Sequence, residues 1–182
     1  MKQSIAVYCA SSSLVEDIYK NAAKETGAFL ASQGHNIVYG GGHVGLMGIM
    51  ADASLAGGAK VTGVITEQLM DLEVAHHGLT ELHVTKTMQQ RQNMMAELSD
   101  GFVILPGGLG TLAEFFEVLT WKQLGLHTKP IVILNVNGYW DGLHSMIGQA
   151  FETKFLRQNP HSLYQITQDY AEMNDFLVKS CN

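Results

Sequence analysis

The sequence predicts one α/β domain, a doubly wound, Rossmann-like arrangement in which helices flank a mainly parallel sheet. Short apolar runs rich in β-branched and aromatic residues alternate along the chain with longer segments whose apolar residues recur at helical spacing. Two glycine-rich loops follow predicted strands directly, as expected where a parallel strand turns into a helix. Because 182 residues suit one domain with a single core, the prediction treats residues 1–182 as one unit.

Each strand is predicted from a short apolar run bounded by glycine, proline or polar residues. Helices are predicted where the apolar spacing changes to three and four, and Gly34 closes the first of them. The strands are expected at 5–8, 36–39, 61–65, 81–84 (a short edge strand), 102–105, 131–134 and 164–166. The helices are expected at 15–32, from Gly45 to the Gly57–Gly58 pair, at 86–99, from 111 onward, at 142–155 and at the end of the chain, with an irregular loop at 67–78.

Composition excludes several classes of function. Seventeen acidic against eleven basic residues give a net charge of −6, which disfavours a general nucleic-acid or acidic-membrane surface. Two cysteines, Cys9 and Cys181, imply no disulfide framework. The sequence contains no run of about 18 apolar residues, so no membrane helix is expected. We therefore expect a soluble cytoplasmic protein that binds neither nucleic acid nor membrane.

The run from Leu105 to Glu114, LPGGLGTLAE, is the most informative stretch. It joins a predicted buried strand to a helix through one proline and three glycines, so the backbone turns tightly and bare N–H groups approach a ligand. The positive end of the helix dipole, at a helix start predicted at Thr111, points to the same place. This arrangement predicts an anion site for a phosphate, with a carboxylate within one turn.

The earlier glycine loop, Gly40 to Gly45, matches the pattern G-x-G-x-x-G. Taken alone this pattern is weak, because a glycine loop after a strand is often only a tight turn. A dinucleotide fingerprint would also need an acid about twenty residues later, and Glu67 lies near that place. Nicotinamide binding is therefore an alternative, although it leaves the second glycine loop unexplained.

Arg91 interrupts an otherwise apolar helical stripe formed with Met88, Met95 and Leu98. An arginine in such a stripe either extends its guanidinium to solvent or is held by a partner. A phosphate or a carboxylate would suit its planar fork.

Glu114 has two interpretations. Thr111 to Glu114 matches the capping box T-x-x-E, in which the glutamate accepts from the Thr111 N–H. The same geometry would aim the carboxylate at the predicted anion site, so a capping role and a catalytic role for Glu114 are compatible. Glu117 and Trp121 share its helical face, and a tryptophan there is typical of a pocket wall or a subunit interface.

The eight histidines show no metal-ligand spacing, so no metal site is predicted. His76 and His77 are adjacent, their side chains diverge in regular structure, and they are interpreted as surface-loop residues.

With these residues in view, the sequence resembles the LOG family, the cytokinin riboside 5′-monophosphate phosphoribohydrolases, which older descriptions call lysine decarboxylases. The resemblance covers about residues 4 to 157. It is carried by YGGGHVGLMG at 39–48, the helix with Met88 and Arg91, PGGLGTLAE at 106–114, EVLTWKQLG at 117–125, Lys129-Pro130, and LNVNGY at 134–139.

The resemblance implies a homodimer that cleaves the N-glycosidic bond of an adenosine monophosphate, often N6-modified, without a cofactor. The products would be the free base and ribose 5-phosphate. The family's catalytic pair matches Arg91 and Glu114. The residues expected to bind substrate are Gly41, Gly42, Gly45, Met88, Gln92, Gly107, Gly108, Leu109, Gly110, Thr111, Glu117 and Thr120.

Three positions depart from the family pattern. Gln92 stands where a lysine is usual, Ala113 where a glutamate is common, and Ala10 replaces the glycine of C-G-S-S. The first two lie beside the catalytic pair and bear on substrate preference more than on reaction type.

Glycosidic cleavage passes through an oxocarbenium-like sugar, which a carboxylate such as Glu114 could stabilise while orienting the ribose or the water. Arg91 could hold the phosphate or assist the departing base, and the sequence leaves both roles open. A non-catalytic nucleotide-binding or molybdenum-cofactor-binding protein of the same fold is the alternative, although a carrier does not need both residues. A decarboxylase would need a lysine that forms a Schiff base with pyridoxal phosphate, and neither glycine loop contains a lysine.

Overall fold

The alternation of buried strands and amphipathic helices builds one seven-stranded sheet in the computed structural model, which describes residues 2–70 and 74–179. All six strand pairings are parallel. The strands are β1 Ser4–Tyr8, β2 Asn36–Tyr39, β3 Val61–Thr66, β4 Glu81–Thr85, β5 Gly101–Ile104, β6 Ile131–Leu134 and β7 Gln165–Thr167. Their order across the sheet is β4-β3-β2-β1-β5-β6-β7, so the predicted edge strand does lie at an edge.

In the described part of the chain, six helices connect or follow these strands. They are α1 Asp17–Ser32, α2 Gly45–Ala56, α3 Met88–Glu97, α4 Leu109–Gln123, α5 Asp141–Glu152 and α6 Tyr170–Lys179. Short 3-10 turns are present at Glu67–Leu69, Val136–Gly138 and Pro160–Ser162. The predicted elements are confirmed in type and order, with one shift that matters for the site: α4 begins at Leu109 rather than Thr111.

The helices cover both faces of the sheet, which confirms the doubly wound prediction. Residues of α1, α2 and α6, such as Leu30, Met50 and Leu177, pack on one face against Ile5 and Val7 of β1. Residues of α3, α4 and α5 form a second cluster on the other face with the alternate β1 side chains. Side chains alternate between faces along a strand, so the central strands are buried on both sides and read as continuous apolar runs.

The chain reverses its direction of winding between β1 and β5, which are neighbours in the sheet although they lie far apart in sequence. Connections from β1 lead outward to β2 and those from β5 lead the opposite way to β6. The loops after the two strands therefore part and leave a crevice at their carboxyl ends, the usual ligand position in such sheets.

The predicted loop at 67–78 is partly ordered by backbone pairing in its described residues, and 71–73 lie outside them. Ala75 forms an isolated antiparallel bridge with Gly42, and His76 N–H donates to Gly41 O at 3.0 Å. Cys181 also lies outside the described residues, whereas Cys9 is buried. Within residues 2–70 and 74–179, no helix combines the length and apolarity needed to cross a membrane.

Candidate active site

A cavity of about 280 Å³ opens at the crevice between the β1 and β5 loops. This volume lies near the lower end of the roughly 300–1,000 Å³ usual for small-molecule sites. The lining residues come from five parts of the chain that only the fold brings together. They are Cys9, Ala10, Ser11, Ser12, Met47, Leu69, Met88, Arg91, Gly108, Leu109, Gly110, Thr111 and Glu114.

Backbone hydrogen bonds fix the two loops against each other. Ala10 N–H donates to Pro106 O at 3.2 Å, which links the loop after β1 to the glycine loop after β5. The hydroxyl of Tyr139 donates to Gly107 O at 2.7 Å from the opposite side. The cavity rim is thus held by main-chain groups, which favours a preformed site.

Arg91 enters the cavity from the first turn of α3, a helix that begins at Met88 because the Thr87 hydroxyl accepts the Gln90 N–H. Its side chain is only 7% exposed, so the interpretation of a guanidinium extending to solvent is wrong. Nε donates to Val64 O at 2.9 Å, and Nη1 donates to Glu114 Oε1 at 3.1 Å. A buried arginine needs such partners, because an unpaired charge there would be strongly unfavourable.

Gly40, at the end of β2, makes room for this guanidinium. A Cβ at Gly40 would overlap Arg91 Nη2 and lie 3.1 Å from Met47 Sδ. The first glycine loop therefore positions the Arg91 guanidinium through Gly40, a residue that the sequence analysis did not include among the substrate-binding residues.

Glu114 projects from the second turn of α4, with a side chain only 10% exposed. The N-cap of α4 is Gly108, so Thr111 is the third helical residue and the capping-box interpretation of Thr111 and Glu114 is wrong. The carboxylate pairs with Arg91 instead, and the shift of the helix start by two residues is the reason.

The first turn of α4 supplies the predicted anion site. Its first helical hydrogen bond runs from Leu112 N–H to Gly108 O at 3.0 Å. The N–H groups of Leu109, Gly110 and Thr111 thus have no partner within the helix, and these residues line the cavity. The dipole of a fifteen-residue helix adds positive potential at the same point.

The N-terminus of α2 is arranged differently from expectation. Leu46 and Met47 N–H both donate to Ala10 O, at 3.0 and 3.3 Å. Gly45, at φ +70°, lies so close to the Ser11 carbonyl that a Cβ would overlap it. The Leu46 and Met47 N–H groups are therefore occupied by protein, which argues against a dinucleotide pyrophosphate at this loop.

Burial and negative charge also change the titration of groups near the pair. Burial, together with the charges of Glu114 and Glu117, raises the pKa of the Tyr8 hydroxyl well above its ordinary value. Burial raises the pKa of Glu117 as well. Both shifts favour the protonated form of the group concerned.

The structure brings together half of the predicted site residues. Those that line the cavity are Met88, Arg91, Gly108, Leu109, Gly110, Thr111 and Glu114. Those that do not line it are Gly41, Gly42, Gly45, Gln92, Gly107, Glu117 and Thr120. For Gly41 the reason is its direction, since a Cβ there would contact Ile65 and Leu82.

The prediction missed six lining residues: Cys9 to Ser12, Met47 and Leu69. The first four follow β1, so a strand-end loop was the available signal. That signal carries weight only once β1 is known to neighbour β5, which the sequence does not reveal.

Comparisons with known sequences found a matching family model and several similar proteins. The family model described as "Possible lysine decarboxylase" matches residues 47–177. A cytokinin riboside 5′-monophosphate phosphoribohydrolase from Rhodococcoides fascians is 46% identical over 168 residues, covering 92% of this chain and 85% of the relative. The Arabidopsis thaliana enzyme of that name, LOG1, is 46% identical over 152 residues, covering 84% of this chain and 71% of the relative.

Solved structures share the fold at lower identity. A molybdenum cofactor binding protein from Rippkaea orientalis superposes with a TM-score of 0.72 at 20% identity, covering 99% of this chain and 97% of that one. The Moco carrier protein of Chlamydomonas reinhardtii gives a TM-score of 0.73 at 21% identity, with 98% and 99% coverage. At this identity the likeness shows the fold alone.

The decarboxylase description finds no support in the cavity, because none of the described residues lining it is a lysine that could hold pyridoxal phosphate. The relatives share close to half of their residues with this chain over most of both lengths, and the family model matches more than half of it. The chain belongs to the LOG family, the cytokinin riboside 5′-monophosphate phosphoribohydrolases.

Proposed function

We propose that the protein hydrolyses the N-glycosidic bond of adenosine 5′-monophosphates, including N6-modified ones, to the free base and ribose 5-phosphate. The observation that carries this proposal is the buried Arg91–Glu114 pair, which lies in the same cavity as the open N-terminus of α4. The names of the relatives support the reaction, since each hydrolyses a cytokinin riboside 5′-monophosphate.

The 5′-phosphate is placed at the first turn of α4, where three main-chain N–H groups and the helix dipole favour an anion. This leaves the ribose beside Glu114, one turn further along the helix. As the bond from C1′ to the base lengthens, positive charge develops on the sugar, and the carboxylate stabilises it. One such group is commonly worth roughly 3–4 kcal/mol in the transition state. The departing base takes up one proton, and the water that adds to C1′ gives one up, so the products are the neutral base and ribose 5-phosphate.

Arg91 acts in this proposal mainly by holding Glu114. Its guanidinium is fixed by the Val64 carbonyl and by the carboxylate, and Gly40 lies against Nη2. A guanidinium held at these points keeps Glu114 ionised and aimed into the cavity. Arg91 also lines the cavity, so in this proposal its guanidinium lies near the departing base.

The test is to incubate the purified protein with AMP, N6-isopentenyl-AMP and the other purine and pyrimidine monophosphates, and to analyse for free base and ribose 5-phosphate. We expect release from adenine nucleotides. If no monophosphate yields base, the hydrolase proposal fails, and non-catalytic nucleotide binding, measured by calorimetry, becomes the better account.

We further propose that the protein is a cytoplasmic homodimer without affinity for nucleic acid or membranes. A net charge of −6 and only two cysteines in the sequence fit this setting. Leu98, Leu124 and Leu126, near the ends of α3 and α4, are exposed apolar residues that a second subunit could cover. Trp121 lies in a separate cleft with Phe102 and His127, consistent with the interface interpretation. Light scattering during gel filtration measures the mass directly, and a monomer at micromolar concentration would contradict the dimer.

A further inference from the structure

A second group of metal-ligating side chains lies outside the cavity. His43 in the first glycine loop, Asp52 on α2 and His76 after the 67–69 turn converge so that their ligand atoms all lie within 4.8 Å of one another. Asp52 and His76 are 24 residues apart in sequence, which explains why ligand spacing along the chain did not reveal them.

The three side chains lie close enough together to bind one small cation. His76 Nε2 lies 2.9 Å from Asp52 Oδ1, and His43 Nε2 lies 3.5 Å from Asp52 Oδ2. Two ligands on a tetrahedral zinc ion at about 2.0–2.1 Å are roughly 3.3 Å apart, between these two values. The imidazole rings of His43 and His76 lie with their centroids 4.2 Å apart, so the two rings are close neighbours.

The site is anchored on its inner side and open on its outer side. The His76 side chain is 6% exposed, whereas those of His43 and Asp52 are 50% and 57% exposed. Main-chain bonds hold the segments together, with His43 N–H donating to Val74 O at 2.9 Å and His76 N–H donating to Gly41 O at 3.0 Å. Three preplaced donors with solvent on one side can hold an ion that keeps water in its remaining positions.

We propose that His43, Asp52 and His76 form a binding site for a divalent transition-metal ion of the zinc, nickel or copper type. Two imidazoles and one carboxylate are the donors that these ions prefer, whereas magnesium and calcium prefer oxygen alone. The bound ion would link the first glycine loop, α2 and the 74–78 segment, and so brace the wall behind Gly40 and Met47 without entering the cavity.

One hydrogen bond determines which ring nitrogen of His76 carries the proton. Gly78 N–H donates to His76 Nδ1 at 3.0 Å, so in the metal-free protein the imidazole proton sits on Nε2 and is donated to Asp52. An ion that binds Nε2 shifts this proton to Nδ1, and the Gly78 N–H must turn away. The cost is one hydrogen bond in an exposed turn, so only ions with strong affinity for nitrogen should bind.

The test uses chelator-treated protein from which any histidine purification tag has been removed. Calorimetric titration with Zn²⁺ should show one ion per chain, accompanied by a rise in Tm, and Mg²⁺ should show neither. The ¹H–¹⁵N resonance of Gly78 should shift on adding Zn²⁺, because its acceptor is lost. Absence of Zn²⁺ binding would overturn the proposal.

Variants locate the site. His43→Ala removes an exposed ligand and should weaken Zn²⁺ binding by at least about tenfold, the lower end of what even an outer-shell change costs. Asp52→Asn keeps an acceptor for His76 but loses the charge, and should weaken binding similarly. His77→Ala is the matched control, since His77 is the exposed neighbour of His76 and lies outside the cluster. Equal affinity in the wild type and His43→Ala, or equal losses in His43→Ala and His77→Ala, would refute the assignment.

Discussion

Arg91 Nη1 lies 3.1 Å from Glu114 Oε1, a contact between two helices that begin at the carboxyl ends of different strands. Each side chain is about nine-tenths buried, so each charge depends on the other for its stability. A substitution at this pair should therefore change both turnover and stability, because a change that removes the carboxylate also leaves a buried guanidinium without its counter-ion.

Glu114→Gln should therefore affect both turnover and stability. Turnover should fall by roughly 100-fold or more, because the negative charge facing the sugar is lost. The free energy of unfolding should fall by about 1–3 kcal/mol, the usual cost when a buried charged donor loses its partner. Steady-state kinetics and urea unfolding measure the two effects.

The matched control for that variant is Glu97→Gln, which makes the same chemical change at an exposed position on α3. It should leave kcat and unfolding close to those of the wild type. Near-normal turnover in Glu114→Gln would reassign the chemistry, and Glu117, one turn further along α4, would be the next carboxylate to test.

Gly40→Ala tests the support behind Arg91. The new methyl group would overlap Arg91 Nη2, so the guanidinium must move. A displacement of about 1 Å in a catalytic group can lower turnover by roughly 100-fold, and we expect a loss of that order. Gly148→Ala is the control, since a Cβ there meets nothing within 4 Å. If Gly40→Ala were fully active, the fixed position of Arg91 would not matter for the reaction.

Substrate phosphate should be required. The first turn of α4 offers main-chain N–H groups to an anion, and two hydrogen bonds to a charged group contribute about 3 kcal/mol or more. The kcat/KM for adenosine should therefore be at least about 100-fold below that for AMP. Ribose 5-phosphate should inhibit competitively, because it retains the 5′-phosphate that binds at the first turn of α4. Similar kcat/KM values for the nucleoside and its monophosphate would contradict the proposed phosphate-binding site at the first turn of α4.

His127 predicts an acid-sensitive contribution to stability. Its Nε2–H donates to Val118 O at 2.8 Å, and its Nδ1 accepts from Lys129 N–H at 3.1 Å, so both nitrogens are used in the neutral ring. Burial lowers the pKa of His127 from its ordinary 6.5, and Lys122 and Lys129 act in the same direction, against the hydrogen bond to Val118. Between the two pKa values the unfolded chain binds more protons, so stability falls as the pH drops below about 6.5.

Urea unfolding at about pH 7.5 and about pH 5 checks this sign. His127→Gln keeps one donor and one acceptor but does not titrate, so it should lose less stability on acidification than the wild type. If both proteins lost stability in parallel, the acid sensitivity would belong to other groups.

The local sequence pattern was sufficient to predict the strands and helices and to identify Arg91 and the LPGGLGTLAE run as candidate site residues. Strand and helix periods are set within a few residues, so β1 to β7 and α1 to α6 were predictable in order and type. Arg91 was conspicuous because a charge in an apolar stripe needs a partner, and LPGGLGTLAE was conspicuous because glycines next to a helix start expose N–H groups. Resemblance to a family then assigned these residues a reaction.

Tertiary structure decided which residues meet. Placing β1 beside β5 brings Cys9 to Ser12 into the cavity, and the same loop occupies the α2 N–H groups through Ala10 O. Starting α4 at Leu109 turned the expected cap at Glu114 into an ion pair, and folding 67–78 back onto the first glycine loop set His76 beside Asp52. The physical reason is common to these cases: periodicity reports which way a side chain faces, whereas its partner across the fold depends on strand order and on helix starts, which are set by packing over the whole domain.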